Sequence, residues 1–296
     1  MIHRRTRTAL IAAALAIAAV PAAAVAVYPV TVKADNGPVT IPAKPKRIIS
    51  LSPTATEMLF AVGAGSQVIA VDDQSNYPAR VPKTSLSGFT PNVEAIAKYR
   101  PDLVVIANDQ NRVLGKLRRL GITVLLDGAP NNITGTYRQI GQIGIATGHR
   151  PAAGRLIGRM KTRLAAIFAA SPKNRRLRIF HELGPELFTA TSRTFIGRIY
   201  TRLGLVNIAD GAPGVIDYPQ LSSEAVIAKN PQMIVLADVR CCGVTRQQVA
   251  ARPGWRNIAA VKNGDVFGVH DDVASRWGPR IVNFAQTLLN HAKAAG

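Results

Sequence analysis

Residues 94–105 read EAIAKYRPDLVV and residues 224–235 read EAVIAKNPQMIV, so one pattern recurs at a constant offset of 130 residues (224 − 94). In each copy a glutamate follows a residue suited to capping a helix, Asn92 or Ser222. A proline then separates the short helix from an apolar run typical of a buried strand. Repetition at this distance predicts two similar lobes rather than a short-period solenoid. Two such lobes enclose a cleft, which is a preferred place for a ligand.

Short apolar runs alternate with amphipathic runs along the chain, which is typical of α/β proteins. The first strand is predicted at residues 47–51. Ser52-Pro53 then begins a helix, in which Thr54 and Glu57 have capping-box spacing. Further strands are predicted at residues 68–71, 103–107, 122–126 and 233–237, and the second lobe begins at residues 177–180.

A helical run at residues 151–170 is long enough to cross from one lobe to the other, since twenty helical residues span about 30 Å. We therefore expect an N-terminal lobe at residues 40–130, a helical connector at 131–172 and a C-terminal lobe at 173–296.

Residues 1–27 have the composition of a targeting segment. Arg4, Arg5 and Arg7 precede an apolar run at residues 9–27, and small residues near the end of that run fit the cleavage pattern of a signal peptide. This pattern predicts a signal peptide or, if the segment is retained, an N-terminal membrane anchor. No cysteine directly follows the run, so lipid anchoring is not expected. We expect an exported protein, in the periplasm or at the cell surface.

Composition excludes several classes of protein. The formal net charge of +20 favours anionic partners, but the lysines and arginines are scattered and no nucleic-acid-binding motif is present. The chain also lacks the G-x-S-x-G, H-E-x-x-H and P-loop patterns, which argues against an enzyme. Cys241 and Cys242 are adjacent, and we expect a reduced pair that is too small to hold a metal. Neither a cofactor nor nucleic-acid binding is predicted.

Several motifs make the chain similar to the class III periplasmic binding proteins, the iron-siderophore, haem and vitamin B12 binding family of ABC importers. The first-lobe motifs are RIISLSPTATEMLFAVGAGSQVIAV at residues 47–71, SNYP at 75–78 and PNVEAIAKYRPDLVV at 91–105. The second-lobe motifs are YPQLSSEAVIAKNPQMIVL at residues 218–236 and GPRIVNFAQTLLN at 278–290. The resemblance covers residues 40–293 and is nearest to the members that bind vitamin B12.

The resemblance implies an α/β fold of two similar three-layer lobes joined by a single long interlobe helix, the helical-backbone metal receptor architecture. It also implies a binding protein, expected as a monomer, that delivers a small molecule to an ABC permease. Glu94 and Glu224, one on each lobe, are implied to dock onto arginine pockets of that permease. Their equal places in the repeat agree with this role, although any helix favours glutamate in its first turn.

The resemblance further implies a set of ligand contacts. Tyr218 falls where the vitamin B12 binders place a stacking tryptophan, and Asp272 and Arg276 match an aspartate and an arginine of the same cleft. An aromatic face suits a corrinoid macrocycle, and polar groups suit its amide rim. The predicted contacts are Tyr218, Asp272, Arg276, Phe188, Phe89 and Gln74, with Gln74 standing in place of a cleft tyrosine.

Two alternatives stay open. Ferric siderophores and haem often carry negative charge, and the basic chain offers Arg276 and Arg280, with Arg240 or Arg193 beside them, to a ligand of that kind. A membrane-anchored sensor module is the other alternative, and it requires residues 1–27 to be retained.

Overall fold

The computed structural model describes residues 27–211 and 217–295. The strands are β1 Val30–Ala34, β2 Gly37–Ile41, β3 Ile48–Leu51, β4 Val68–Val71, β5 Leu103–Ile106, β6 Thr123–Leu126, β7 Arg178–Glu182, β8 Val206–Asn207, β9 Met233–Leu236 and β10 Val266–Gly268. The helices are α1 Pro53–Ala61, α2 Val93–Lys98, α3 Val113–Arg119, α4 Ile133–Ala146, α5 Arg150–Ala169, α6 Phe195–Arg202, α7 Ser223–Lys229, α8 Arg246–Ala251, α9 Ala259–Asn263, α10 Asp271–Ser275 and α11 Ile281–Ala294.

The first sheet holds four parallel strands in the order β4-β3-β5-β6. Every residue of β3 and β5 is buried, as expected for central strands of a parallel sheet covered on both faces. The strand predicted at residues 68–71 is confirmed. Those predicted at 103–107 and 122–126 are confirmed to within one residue.

The second sheet repeats this topology in the order β10-β9-β7-β8. In each sheet, the second strand along the chain therefore lies on one side of the first strand, and the third and fourth strands lie on its other side. The two copies of the repeated sequence occupy equal positions, since α2 leads into β5 and α7 leads into β9. The predicted α/β class with two similar lobes is confirmed.

The sequence patterns do not predict β8 and β10, which are only two and three residues long. Strands this short show no periodicity of hydrophobic residues. Their pairing depends on β7 and β9, which are already in place beside them.

An antiparallel hairpin, β1 with β2, also goes unpredicted, and the lobe boundary predicted at residue 40 falls inside β2. The hairpin covers the open edge of the first sheet. The Asn36 side chain donates to the carbonyl of Val124 (2.9 Å) and accepts from the amide of Leu126 (3.1 Å). An edge strand covered in this way is protected from pairing with other chains.

Helix α5 has 20 residues and packs against α4 and α11. Its buried side chains, which recur at helical spacing, include Leu156, Met160, Leu164 and Ile167. The predicted long helix at residues 151–170 is therefore confirmed. Within the described residues, no helix combines the length and apolar character needed to cross a membrane. The predicted targeting segment lies outside them, apart from Val27.

Two local expectations are wrong. Cys241 and Cys242 form a disulfide rather than a reduced pair. The capping residue of α1 is Ser52, whose side chain accepts from the amide of Ala55, so Thr54 and Glu57 form no capping box. Glu57 is instead directed toward the C-terminal lobe.

Candidate functional site

The carboxyl ends of the two sheets face each other. At one end of the interface, Asn76, which follows β4, donates to the carboxylate of Asp272, which follows β10 (2.8 Å). At the other end, residues 132–134 after β6 and residues 192–202 of the C-terminal lobe line one cavity. The loops that follow the central strands therefore border a cleft between these two ends. In open parallel sheets this edge, where the strand order reverses, is where ligands bind.

Exposed aromatic side chains lie on the loops that follow strands of both sheets. In the described part of the chain, the large aromatic residues with high exposure are Tyr77, Phe89, Phe188 and Tyr218, two from each lobe. Phe89 is 69% exposed, and the residue before it, Gly88, passes so close to β3 that a Cβ there would lie 2.7 Å from the Leu51 carbonyl. Exposed apolar side chains gathered at one site indicate a binding surface.

Phe188 and Tyr218 share one face of a short antiparallel ladder. Backbone hydrogen bonds join residues 187–191 to residues 217–221, and Phe188 pairs with Gln220. Because side chains alternate across a strand, Phe188 and Tyr218 lie diagonally on the same side. They are 45% and 48% exposed, so both rings are open to solvent on that side of the ladder.

A buried ion cluster joins the lobes beside the cleft. Glu57 accepts from Nη1 of Arg276 (3.0 Å) and from Nε (2.9 Å) and Nη2 (2.5 Å) of Arg280. The Glu57 side chain is 1% exposed and belongs to α1 of the N-terminal lobe, whereas both arginines come from the C-terminal lobe. The hydrogen bond to Glu57 and its negative charge raise the pKa of Arg280 above its ordinary value despite partial burial.

Three of the predicted ligand contacts meet at this cluster. The Arg276 guanidinium donates to the main-chain carbonyl of Gln74 (2.9 Å), to Asn76 (2.9 Å) and to Asp272 (2.7 Å). Arg276 is thus buried and held by protein groups, while Gln74 is exposed at the cleft edge. Sequence reasoning missed Glu57 and Asn76, whose partners lie about two hundred residues away along the chain.

The histidine nearest the cleft is partly buried and engaged by protein. His270 contacts the Arg240 guanidinium and accepts from the backbone amide of Asp272 (3.3 Å). Among the described residues, histidine, cysteine and carboxylate side chains form no group of three or more suited to hold a metal.

Buried aspartates follow three strands at the cleft side of the sheets. Burial raises the pKa of Asp72 to about 6, although hydrogen bonds from Ser75 act to lower it. Burial, with the charge of Asp35, raises the pKa of Asp127 to about 7. Burial, with the charge of the neighbouring Glu182, raises the pKa of Asp238 well above its ordinary value. The loops around the cleft therefore carry carboxyl groups that titrate close to neutral pH.

The predicted docking glutamates lie on helices that are held in the same way in both lobes. Glu94 and Glu224 are exposed in the first turns of α2 and α7. Arg47, just before β3, donates to the carbonyls of residues 99 and 100 at the end of α2. Arg178, at the start of β7, donates to the carbonyls of residues 229 and 230 at the end of α7. Each arginine ties a glutamate-bearing helix to the first strand of its lobe.

Two matching α/β lobes, a long helix near their junction and an aromatic cleft at the facing strand ends define the class of two-lobed solute-binding proteins. The family comparison agrees: residues 48–273 match the Periplasmic binding protein family, and the chain belongs to it.

Named relatives span most of the chain. An uncharacterised ABC transporter substrate-binding lipoprotein, YvrC of Bacillus subtilis, is 32% identical over 88% of this chain and 85% of its own length. A cobalamin-binding protein of Halobacterium salinarum is 32% identical over 89% of this chain and 74% of its own. The crystal structure of the periplasmic vitamin B12 binding protein BtuF of Vibrio cholerae superposes with a TM-score of 0.71 at 26% identity, covering 85% of this chain and 98% of that one.

We expect Glu57→Gln to lower the free energy of unfolding by about 3–5 kcal/mol, because it leaves two arginines at a buried site without their anion. Asp217→Asn is the matched control, since it breaks an exposed pair with Arg193 worth at most about 1 kcal/mol. Chemical denaturation of both variants gives the comparison. Equal losses in the two variants would show that the Glu57 cluster does not hold the lobes together.

We expect Asp127 to make the protein less stable as pH rises. Its folded pKa of about 7 exceeds its ordinary value of 3.8, so its stabilising effect is complete below pH 3.8 and is lost as pH rises through about 7. Asp127→Asn should therefore lose less stability between pH 5 and pH 8 than the unmodified protein. Glu186→Gln, at an exposed glutamate away from the buried aspartates, should keep the original slope. Melting temperatures across this range test the prediction, which fails if Asp127→Asn keeps the full slope.

Proposed function

We propose that this protein is the extracytoplasmic substrate-binding component of an ABC importer and that its ligand is cobalamin or a related corrinoid. The exposed aromatic surface of Phe188 and Tyr218 at the carboxyl end of the second sheet carries the proposal, with Phe89 on the opposite lobe. Family membership and the names of the relatives support it.

A corrinoid matches the chemistry of this cleft. Its flat macrocycle packs on aromatic faces, and its amide side chains need hydrogen-bond partners around the rim. Gln74, Asn76 and Asp272 supply polar groups at one end of the cleft. Such contacts bind and orient a ligand without forming or breaking covalent bonds, so the protein acts by capture and delivery.

Export and docking complete the proposed function. Residues 1–27 serve as a signal peptide or as an anchor that keeps the protein at the outer face of the membrane. Glu94 and Glu224 project from equal positions on the two lobes, and an ion pair from each to the permease would seat both lobes at once. The capping contacts of Arg47 and Arg178 fix where these helices stand.

A second candidate ligand is an anionic iron complex, either a ferric siderophore or haem. The arginines that line the cavity at residues 192–202 favour it. Aromatic packing in the cleft serves haem and corrinoid alike, so titrations must compare both.

We expect cyanocobalamin to bind the mature protein saturably in isothermal titration calorimetry. Phe188→Ala and Tyr218→Ala should each weaken that binding roughly tenfold or more, because each removes a large aromatic contact. Leu120→Ala is the control, since it truncates an exposed apolar side chain at the end of α3, which is none of the predicted ligand contacts. Haem is titrated in parallel. Binding of haem without cyanocobalamin transfers the proposal to the second candidate, and binding of neither contradicts both.

We expect Glu94→Ala combined with Glu224→Ala to keep corrinoid affinity and to abolish uptake, because the substitutions remove two exposed charges and leave the predicted ligand contacts in place. Uptake of labelled cobalamin by cells carrying the cognate permease gives the readout. Glu186→Ala, at another exposed glutamate, should leave uptake unchanged. Normal transport by the double variant rules out docking through these residues.

A further inference from the structure

The cavity at the far end of the cleft from Glu57 is lined by basic and hydroxyl side chains. It has a volume of about 420 Å³ and lies between the start of α4 on the N-terminal lobe and α6 with its preceding loop on the C-terminal lobe. None of its lining residues is acidic. They are Asn132, Ile133, Thr134, Ser192, Arg193, Arg198, Thr201 and Arg202.

The positive charge of this cavity is only partly balanced. Arg193 pairs through Nε with Asp217 (3.0 Å), and that pair is exposed on both sides. Arg198 uses its Nε to donate to the carbonyl of Arg193 (3.3 Å), and the Arg202 guanidinium lies 4.8 Å from the centre of the Phe168 ring. Arg198 and Arg202 form no ion pair with a carboxylate within 4.0 Å among the described residues.

Further groups around the cavity act in the same direction. The N-terminus of the 14-residue helix α4 lies at the cavity wall, so the positive end of its dipole adds to the field of the arginines. The exception is Asp210, which accepts from the backbone amide of Ser192 (2.9 Å) and adds one negative charge beside the lining residues. An anionic oxygen group here meets guanidinium and hydroxyl donors together, which is the setting of strong charge-assisted hydrogen bonds.

The cavity is connected to the aromatic surface. Asp217, the partner of Arg193, directly precedes Tyr218, and its carbonyl accepts from the amide of Thr191 in the ladder that carries Phe188. Asp217 and Tyr218 are adjacent, so their side chains point to opposite faces of the ladder, and a ligand on Tyr218 reaches the arginines past the end of the ladder at Thr191.

We propose that this cavity holds an anionic oxygen group, a phosphodiester or a carboxylate, of the ligand that occupies the cleft. The inference rests on the proposed function for the identity of the ligand, and it assigns Arg198 and Arg202 as residues that recognise the anionic arm. This assignment gives part of the positive charge of the chain a specific role in ligand binding.

The test compares ligands with and without an anionic arm. Cyanocobalamin carries a phosphodiester, haem carries two carboxylates, and dicyanocobinamide is a corrinoid that lacks the phosphodiester. Arg198→Gln combined with Arg202→Gln should weaken binding of the first two by about tenfold or more and leave dicyanocobinamide unchanged. Loss with cyanocobalamin identifies the phosphodiester as the group bound, and loss with haem identifies the carboxylates.

Two matched variants serve as controls. Arg155→Gln with Arg159→Gln makes the same change of charge at the same spacing on exposed positions of α5, outside the cavity, and should change no affinity. Arg198→Gln alone keeps the packing of Arg202 on Phe168 and should show a smaller loss of the same selectivity.

A second readout does not depend on the ligand. Inorganic phosphate, compared with sodium chloride at equal ionic strength, should raise the melting temperature of the unmodified protein and of the α5 control by more than that of the cavity variant, which keeps only the general stabilisation by an excluded salt. If corrinoids and haem fail to bind while this phosphate effect is present, the proposed function is refuted and the anion site stands. Equal effects of the cavity substitutions on all three ligands, or a phosphate effect of the same size in the cavity variant as in the unmodified protein, overturn the anion site.

Discussion

The contact between Glu57 and the pair Arg276 and Arg280 is the constraint on which the shape of the cleft depends. Two charges of one sign and one of the other are withdrawn from water at the junction of the lobes, and removing charges from water is costly unless each is paired. Asp272 and the Gln74 carbonyl complete the coordination of Arg276. A relative movement of the lobes at this end would separate these groups, so the cluster opposes it. The chain continues from Arg280 directly into α11, which packs on α5.

The same structural solutions appear twice in this molecule because the lobes repeat one topology. Arg47 in one lobe and Arg178 in the other cap the end of a short helix with their side chains. The backbone amide of Arg47 donates to the side chain of Asp102, and that of Arg178 donates to the side chain of Gln232. The left-handed residue after each helix is Arg100 or Asn230. These paired contacts give the two glutamate-bearing helices equal orientations in their lobes, which suits a partner that recognises both at once.

Different kinds of side chain occupy different parts of the cleft. The ion cluster and its polar neighbours occupy one end, aromatic side chains border the middle and arginines line the cavity at the other end. A flat ligand with a polar rim and one anionic arm satisfies all three parts. This arrangement gives a chain of the periplasmic binding protein family a physical basis for selecting a ligand, apart from its similarity to named relatives.

The sequence by itself determined the elements whose stability is local or whose pattern is long. The twelve-residue repeat, the buried runs of β4, β5 and β9 and the periodicity of α5 all lie within short windows, and the capping residues Asn92 and Ser222 start their helices as expected. The repeat also placed Glu94 and Glu224 at equal positions. Only the tertiary structure decided the partner of Glu57, which lies 219 residues away in Arg276, because no local pattern records a contact between lobes. It likewise decided the pairing of the two shortest strands, the disulfide between Cys241 and Cys242, and the exposure of Phe188 and Tyr218. Hydrophobic residues usually favour burial, and only the ladder geometry at the strand ends turns these two outward.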